Sequence, residues 1–242
     1  MWRSSGVLIS CVTSCSAGRG KVGFLGGIPL FPIRDENPRK RIPVVTISLI
    51  FLNVTVFLYS VLSGRFDQLI GEYGVRPAEL LAGHGVHKVF TSMFLHGGVL
   101  HILFNMWYLW IFGDNVEGFF GHERYLLLYL GWGATAALIH SILDRSMIPA
   151  IGASGAISGV LGAYMVLYPW AKVYSAIVLL YFVRIVAVPA VLFLGSWFLL
   201  QAISASLTWM TGAATGVAYW AHIGGFLAGA VTTLVARRFR RE

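Results

Sequence analysis

Six runs of mostly apolar residues, five of them close to twenty long and one of fifteen, constrain this chain more than any other feature. They lie near residues 43–62, 95–113, 125–143, 154–168, 188–206 and 215–236. A helix rises 1.5 Å per residue, so about twenty residues cross the roughly 30 Å hydrocarbon layer of a bilayer. Inside that layer every backbone N–H and C=O must be satisfied within the chain, which leaves helices as the form these runs can take. With 57% hydrophobic and only 12% charged residues, the 242-residue chain reads as an integral membrane protein. The expected fold class is all-α, a polytopic bundle of six transmembrane helices.

The net charge of +8 could point to nucleic acid, but the placement of the charges points elsewhere. Six spans put both termini on one side. That side carries Arg3, Arg19, Lys21, Arg34, Arg39, Lys40 and Arg41 before the first span, then Arg124, Lys172 and Arg184, and finally Arg237, Arg238, Arg240 and Arg241. The other side carries only Arg65, Arg76, Lys88 and Arg145. The positive-inside rule therefore assigns both termini to the cytoplasm, and the basic excess becomes a topology signal with no nucleic-acid partner implied. Cys11 and Cys15 both precede the first span, so no disulfide or zinc framework holds the core.

Three regions are expected: a cytoplasmic leader and juxtamembrane segment over 1–42, a membrane domain over 43–236 and a basic tail over 237–242. The first 24 residues faintly resemble a secretory signal, with Leu8-Ile9-Ser10-Cys11 faintly like a lipidation box, but the apolar run is short and broken. Residues 25–42 are dense in Pro and Gly and read as a juxtamembrane extension. Residues 63–94 form the longest external connection. Phe66, Leu69, Ile70, Leu80, Leu81 and Phe90 could lay it on the outer leaflet, or it could be a folded cap without contact to lipid. The apolar stretch 171–187 carries Lys172 and Arg184, and a seventh span there would split the termini across the membrane. It reads as a cytoplasmic connection packed at the membrane surface.

Polar side chains within the spans carry the functional reading, because their presence in apolar surroundings is costly. Ser154 begins the fourth run, flanked by Gly152, Gly155 and Gly159. Small residues at that spacing also serve helix packing. The start of a helix, however, favours developing negative charge. His222 lies about two turns into the sixth run. His222, Gly225 and Gly229 fall on one helical face, and the Gly225-x-x-x-Gly229 pair can nest against Gly155, Gly159 and Gly162. Such an approach would bring imidazole to the serine hydroxyl, the pairing needed for nucleophilic hydrolysis. His140 competes as a base but lacks a glycine face. His101 and Asn105 share a face of the second run, with His96 upstream, and could hydrogen-bond a developing oxyanion. No acidic residue falls in the outer halves of the runs, so a dyad oriented by packing is expected in place of a triad. No His-Glu-x-x-His zinc motif occurs, and neither metal nor other cofactor is expected.

Taken together, Gly152-Ala153-Ser154-Gly155, His101-x-x-x-Asn105 with His96, Phe112-Gly113-Asp114-Asn115-Val116-Glu117, and Ala221-His222-x-x-Gly225-x-x-x-Gly229 resemble the rhomboid intramembrane serine proteases over about residues 40–236. The resemblance implies an endopeptidase that cleaves transmembrane or membrane-anchored proteins. Ser154 would be its nucleophile, His222 its general base and acid, and His101, Asn105 and the Ser154 amide its oxyanion hole. It also implies sideways entry of a substrate helix past the fifth helix, and bacterial inner membrane as the location. Two positions depart from the family pattern. His87-Lys88 stands where a loop Trp-Arg pair is common, and Ser158 stands where some members stack an aromatic ring on the histidine. The alternative is a non-catalytic protein of the same fold that binds client helices; it has no need of all four polar residues.

Overall fold

The computed structural model describes residues 24–25, 28–38, 41–144, 146–179, 182–213 and 215–239. The expectations for Cys11, Cys15, the signal-like leader and residues 240–242 of the basic tail lie outside these residues. The elements in chain order are β1 (Phe24–Leu25), β2 (Ile28–Asp35), α1 (Val44–Leu62), α2 (Phe66–Tyr73), α3 (Pro77–Leu81), α4 (Lys88–Thr91), α5 (Val99–Phe120), α6 (His122–Asp144), α7 (Ser154–Leu167), β3 (Lys172–Leu179), β4 (Phe182–Pro189), α8 (Ala190–Thr211) and α9 (Tyr219–Phe239).

All six apolar runs are helical, as α1 and α5 to α9. Four of them, α1, α6, α8 and α9, are individually long and apolar enough to cross a membrane. A fifth span is α5 taken with the short turn Lys88–Phe94 before it, from which the chain bends by 96°. The sixth, α7, has 14 residues. At about 21 Å it is shorter than the roughly 30 Å apolar layer, so at least one of its ends lies below the membrane surface. The outward faces match a lipid solvent: Phe51, Leu58 and Leu62 on α1, Leu127 on α6, and Leu199 and Trp209 on α8 are all exposed. The chain is a multi-pass membrane protein with a helical bundle.

α7 is the centre of this bundle. Its residues Gly155 to Tyr164 are all buried, enclosed by α5, α6, α8 and α9. The most extensive helix interface joins α7 to α9. Both run in the same direction, and glycine sets their separation. A Cβ placed on Gly225 would fall on the Gly155 carbonyl oxygen, one on Gly229 on the Gly159 carbonyl, and one on Gly162 on the Phe226 carbonyl. In lipid the apolar effect does not drive helices together, so this backbone-to-backbone fit supplies the close van der Waals contact that does. On its other side Gly159 packs against Trp132 of α6, whose indole Nε1 donates to Thr232 Oγ1 of α9 at 2.9 Å.

The second helix extends seven residues beyond the expected Gly113, to Phe120. The reason lies in α1. Buried Glu117 accepts hydrogen bonds from the Val45 and Thr46 amides, both at 2.8 Å, and from Thr46 Oγ1 at 2.7 Å. The first amides of α1 have no partner within their own helix, and a carboxylate at that end also complements its dipole. His122 Nδ1 lies 2.6 Å from the same carboxylate. The end of α7 is served similarly, since Arg237 of α9 donates to the Val166 carbonyl.

Two segments take a form that their sequence left open. Residues 171–187, expected as a connection packed at the membrane surface, are built of β-strand. β3 and β4 form an antiparallel hairpin, and β2, from the Pro-rich stretch, pairs with β3 through Leu30 opposite Ile177 and Asp35 opposite Val173. β2 lies along α5: Phe31 stacks on Phe104, Trp107 Nε1 donates to the Pro32 carbonyl at 2.6 Å, and Asn115 Nδ2 donates to Asp35 at 2.9 Å. The sheet touches α5 through β2 and α8 through β1, β3 and β4. Arg184, counted above with the basic residues of one side, pairs with Ile177, about 16 Å up the hairpin from its base. Residues 63–94 hold three short helices. Leu80 and Val89 pack with Val75 onto Ala134 and Ala137 of α6, as a folded cap would, while Leu81, Val86 and Phe90 face outward. At the position of the missing Trp-Arg pair, Lys88 binds Glu79 at 3.2 Å, and Arg76 binds it at 3.3 Å. The hydrogen bond from Lys88 holds the Glu79 carboxyl below its ordinary range.

Replacing Glu117 by Ala strands two amides and a hydroxyl inside the protein. The thermal unfolding midpoint in detergent is expected to fall, with a loss of about 2–4 kcal/mol, and Glu117→Gln to lose less because one oxygen still accepts. An unchanged midpoint for Glu117→Ala would contradict the capping role.

Candidate active site

The glycine-to-glycine packing of α7 on α9 determines what meets at one end of the bundle. Ser154 is the first residue of α7, and His222 lies in the first turn of α9. His222 Nε2 stands 2.9 Å from Ser154 Oγ. The serine hydroxyl can donate only if Nε2 is unprotonated, so the neutral ring carries its hydrogen on Nδ1. That nitrogen is 2.9 Å from Gln201 Oε1 of α8. Both Ser154 and His222 are half-buried. The pair has the form of an activated nucleophile: a hydroxyl, a base within hydrogen-bond reach, and a third group at the far nitrogen of the base.

Gly152 shapes the approach to the serine. Its φ of +118° is a conformation L side chains avoid, and its amide is tied to the Ser92 carbonyl at 2.9 Å. A Cβ there would sit 2.7 Å from His101 Nε2 and 3.9 Å from Ser154 Oγ. The imidazole and the hydroxyl therefore face the same small volume, kept open because residue 152 has no side chain. His101 Nδ1 accepts the Gly97 amide at 3.2 Å, which leaves Nε2 as the protonated nitrogen of the neutral ring. His96 stands edge-on to His101, with ring centroids 5.1 Å apart. Asn105 donates one amide hydrogen to the His101 carbonyl at 2.8 Å, so an oxyanion contact would use its second. The Ser154 amide belongs to the first turn of α7, where no carbonyl of the same helix can receive it.

The other expected partners fall as follows. Gly155 and Gly225 meet at the α7/α9 contact nearest the pair, and Gly229 lies one turn farther along. His140 turns to Asp144 at 3.7 Å and makes no hydrogen bond to Ser154. Ser158 donates to the Ser154 carbonyl at 2.6 Å, so no aromatic ring rises from that turn. The ring beside His222 comes from α8 instead: Trp197 lies 5.9 Å away, tilted by 35°. Trp197 and Gln201, four residues apart on one face of α8, are site neighbours that the sequence reading missed. Their spacing on a largely apolar helix was the available signal, with Gln201 the single amide side chain of that run.

Comparison with known proteins adds the family. The Rhomboid domain profile matches residues 83–239, which contain α5 to α9 and the whole of this arrangement. The Rhomboid protease GluP of Bacillus subtilis is 33% identical over 125 residues, 51% of this chain and 24% of that protein. RHOMBOID-like protein 1 of Arabidopsis thaliana is 43% identical over 82 residues, 34% of this chain and 21% of its own length. RHOMBOID-like protein 6, mitochondrial, also of Arabidopsis thaliana, is 30% identical over 154 residues, 62% of this chain and 44% of its own. The chain thus spans less than half the length of each of these relatives.

Gly152→Ala is expected to force the backbone out of its conformation and press a methyl group against His101. Labelling of Ser154 by a fluorophosphonate probe should slow by about 10²-fold or more. Labelling at the unaltered rate would mean that the space beside Gly152 plays no part in serine reactivity.

Proposed function

We propose that this chain, which belongs to the rhomboid family, is a catalytically active serine endopeptidase that cuts transmembrane or membrane-anchored proteins. The observation that carries the reading is the 2.9 Å approach of His222 Nε2 to Ser154 Oγ. Ser154 attacks the scissile carbonyl while His222 takes its proton, and the carbonyl oxygen becomes an oxyanion. His101 Nε2–H, the second Asn105 amide hydrogen and the Ser154 N–H are the donors assigned to that oxygen. Each such donor typically contributes about 3 kcal/mol at the transition state. His222 then protonates the leaving amine, and water, activated by the same imidazole, hydrolyses the acyl-enzyme.

Two physical features support water and substrate meeting here. The nucleophile sits at an end of the shortest helix of the bundle, and both partners keep part of their surface open. Lipid and a substrate helix are the partners of this reading, and neither metal nor nucleotide enters a step. The bacterial inner membrane, with both termini cytoplasmic, remains our assignment of location. The cytoplasmic placement of the termini is supported by Arg41, Arg124, Lys172, Arg237 and Arg238 at or near the end of the bundle opposite Ser154.

Ser154→Ala in liposomes is expected to lower cleavage of a transmembrane substrate by about 10⁴-fold, and His222→Ala to do nearly the same. Cleavage by Ser154→Ala at the wild-type rate would rule out the mechanism. Helix binding without turnover in the wild-type protein would favour the non-catalytic alternative.

A further inference from the structure

We infer that Gln201 is a positioning residue that sets the tautomer of His222, so that the site works as a Ser154–His222–Gln201 relay of hydrogen bonds without a carboxylate. The inference rests on the Ser154–His222 reading above and deepens it. A neutral imidazole can accept from Ser154 through Nε2 only while its hydrogen is on Nδ1. In an apolar bundle that N–H needs an acceptor, since an unpaired buried donor carries its full desolvation cost. Gln201 Oε1, at 2.9 Å, is the acceptor. The orientation of the Gln201 amide follows from this bond, because the imidazole hydrogen must meet oxygen and not nitrogen.

An amide suits the place better than a carboxylate for a physical reason. The relay crosses between α8 and α9 among apolar neighbours, with Trp197 beside the imidazole and Phe226 beyond it. A carboxylate at this half-buried place would lose part of its hydration and need compensation, whereas a neutral acceptor needs less. Asp144, the acidic residue near His140, is 3.7 Å from that ring and has no hydrogen bond to His222. Gln201 and Trp197 also locate the imidazole by two contacts one turn apart on α8, one at its edge and one at its face. The aromatic support absent at Ser158 and the acceptor absent from the acidic residues thus both come from a single helix.

The test uses the full chain in liposomes with a transmembrane model substrate, and compares Gln201→Leu, which fills the space without an acceptor, with Gln201→Glu, which keeps one. For Gln201→Leu, kcat is expected to fall about 10–100-fold with KM within about twofold, and fluorophosphonate labelling of Ser154 to slow in parallel. Gln201→Glu, which keeps an acceptor but adds the hydration cost of a carboxylate, should recover part of the loss, with kcat clearly above that of Gln201→Leu. Wild-type kcat in Gln201→Leu, a change confined to KM, or equal losses in both variants would each overturn the assignment, the last showing a packing role. Gln201→Met, of matching length, is read by the same criteria should the leucine variant fail to fold. Ser154→Ala is run alongside: its full activity would remove the dyad itself, whereas its inactivity together with a fully active Gln201→Leu would remove only Gln201.

Discussion

The contact of α7 with α9 through bare backbone is the constraint on which the rest of this molecule depends. Water does not press helices together inside lipid, and apolar side chains gain little by exchanging lipid for protein. What remains is fit, and Gly155, Gly159, Gly162, Gly225 and Gly229 let two helices approach until carbonyl oxygens occupy the space a methyl group would need. Because both helices start at the same end of the bundle, that fit also fixes the relative position of their first turns. Ser154 and His222 are in those turns, so their 2.9 Å separation is a consequence of packing before it is a feature of chemistry.

Polar groups then complete what packing begins, each placed where the helical backbone leaves something unsatisfied. Glu117 receives two free amides of α1, Arg237 serves the Val166 carbonyl near the end of α7, and Gln201 receives the imidazole hydrogen that a dyad alone would leave unpaired. Gly152 performs the opposite service by being absent as a side chain, holding open the space that His101 and Ser154 both face. The sheet of β2, β3 and β4 lies against α5 and α8, the two helices that supply His101, Asn105, Trp197 and Gln201. Its packing therefore bears on the groups around the serine without contributing a residue to them.

What the sequence made legible, and what it hid, follows from the range of the interactions. Apolar runs and glycine faces are local patterns, so six helices and the contact of Gly225 and Gly229 with the fourth run could be read directly. The Ser154–His222 partnership could be read because its two glycine strips pointed at each other. The sheet could not, because β2 and β3 are separated by well over a hundred residues and neither segment declares its partner. The buried alternation of Val173 and Ser175 was a hint, masked by the uniformly apolar character of the stretch. Gln201 was hidden for a related reason: an amide on an apolar helix has a meaning only once the rotation of α8 about α9 is known. Where packing in place of a carboxylate was expected to orient His222, Trp197 lies beside its ring and the Gln201 amide oxygen meets its Nδ1.

The central claim, that glycine packing of α7 on α9 creates the reactive pair, is tested most directly by labelling Ser154 in Gly225→Val. The side chain would drive the two helices apart at the level of the Gly155 carbonyl. With helical content held near wild type by circular dichroism, fluorophosphonate labelling should fall by about 10²-fold or more. Labelling at the wild-type rate in a variant of intact helical content would contradict the account.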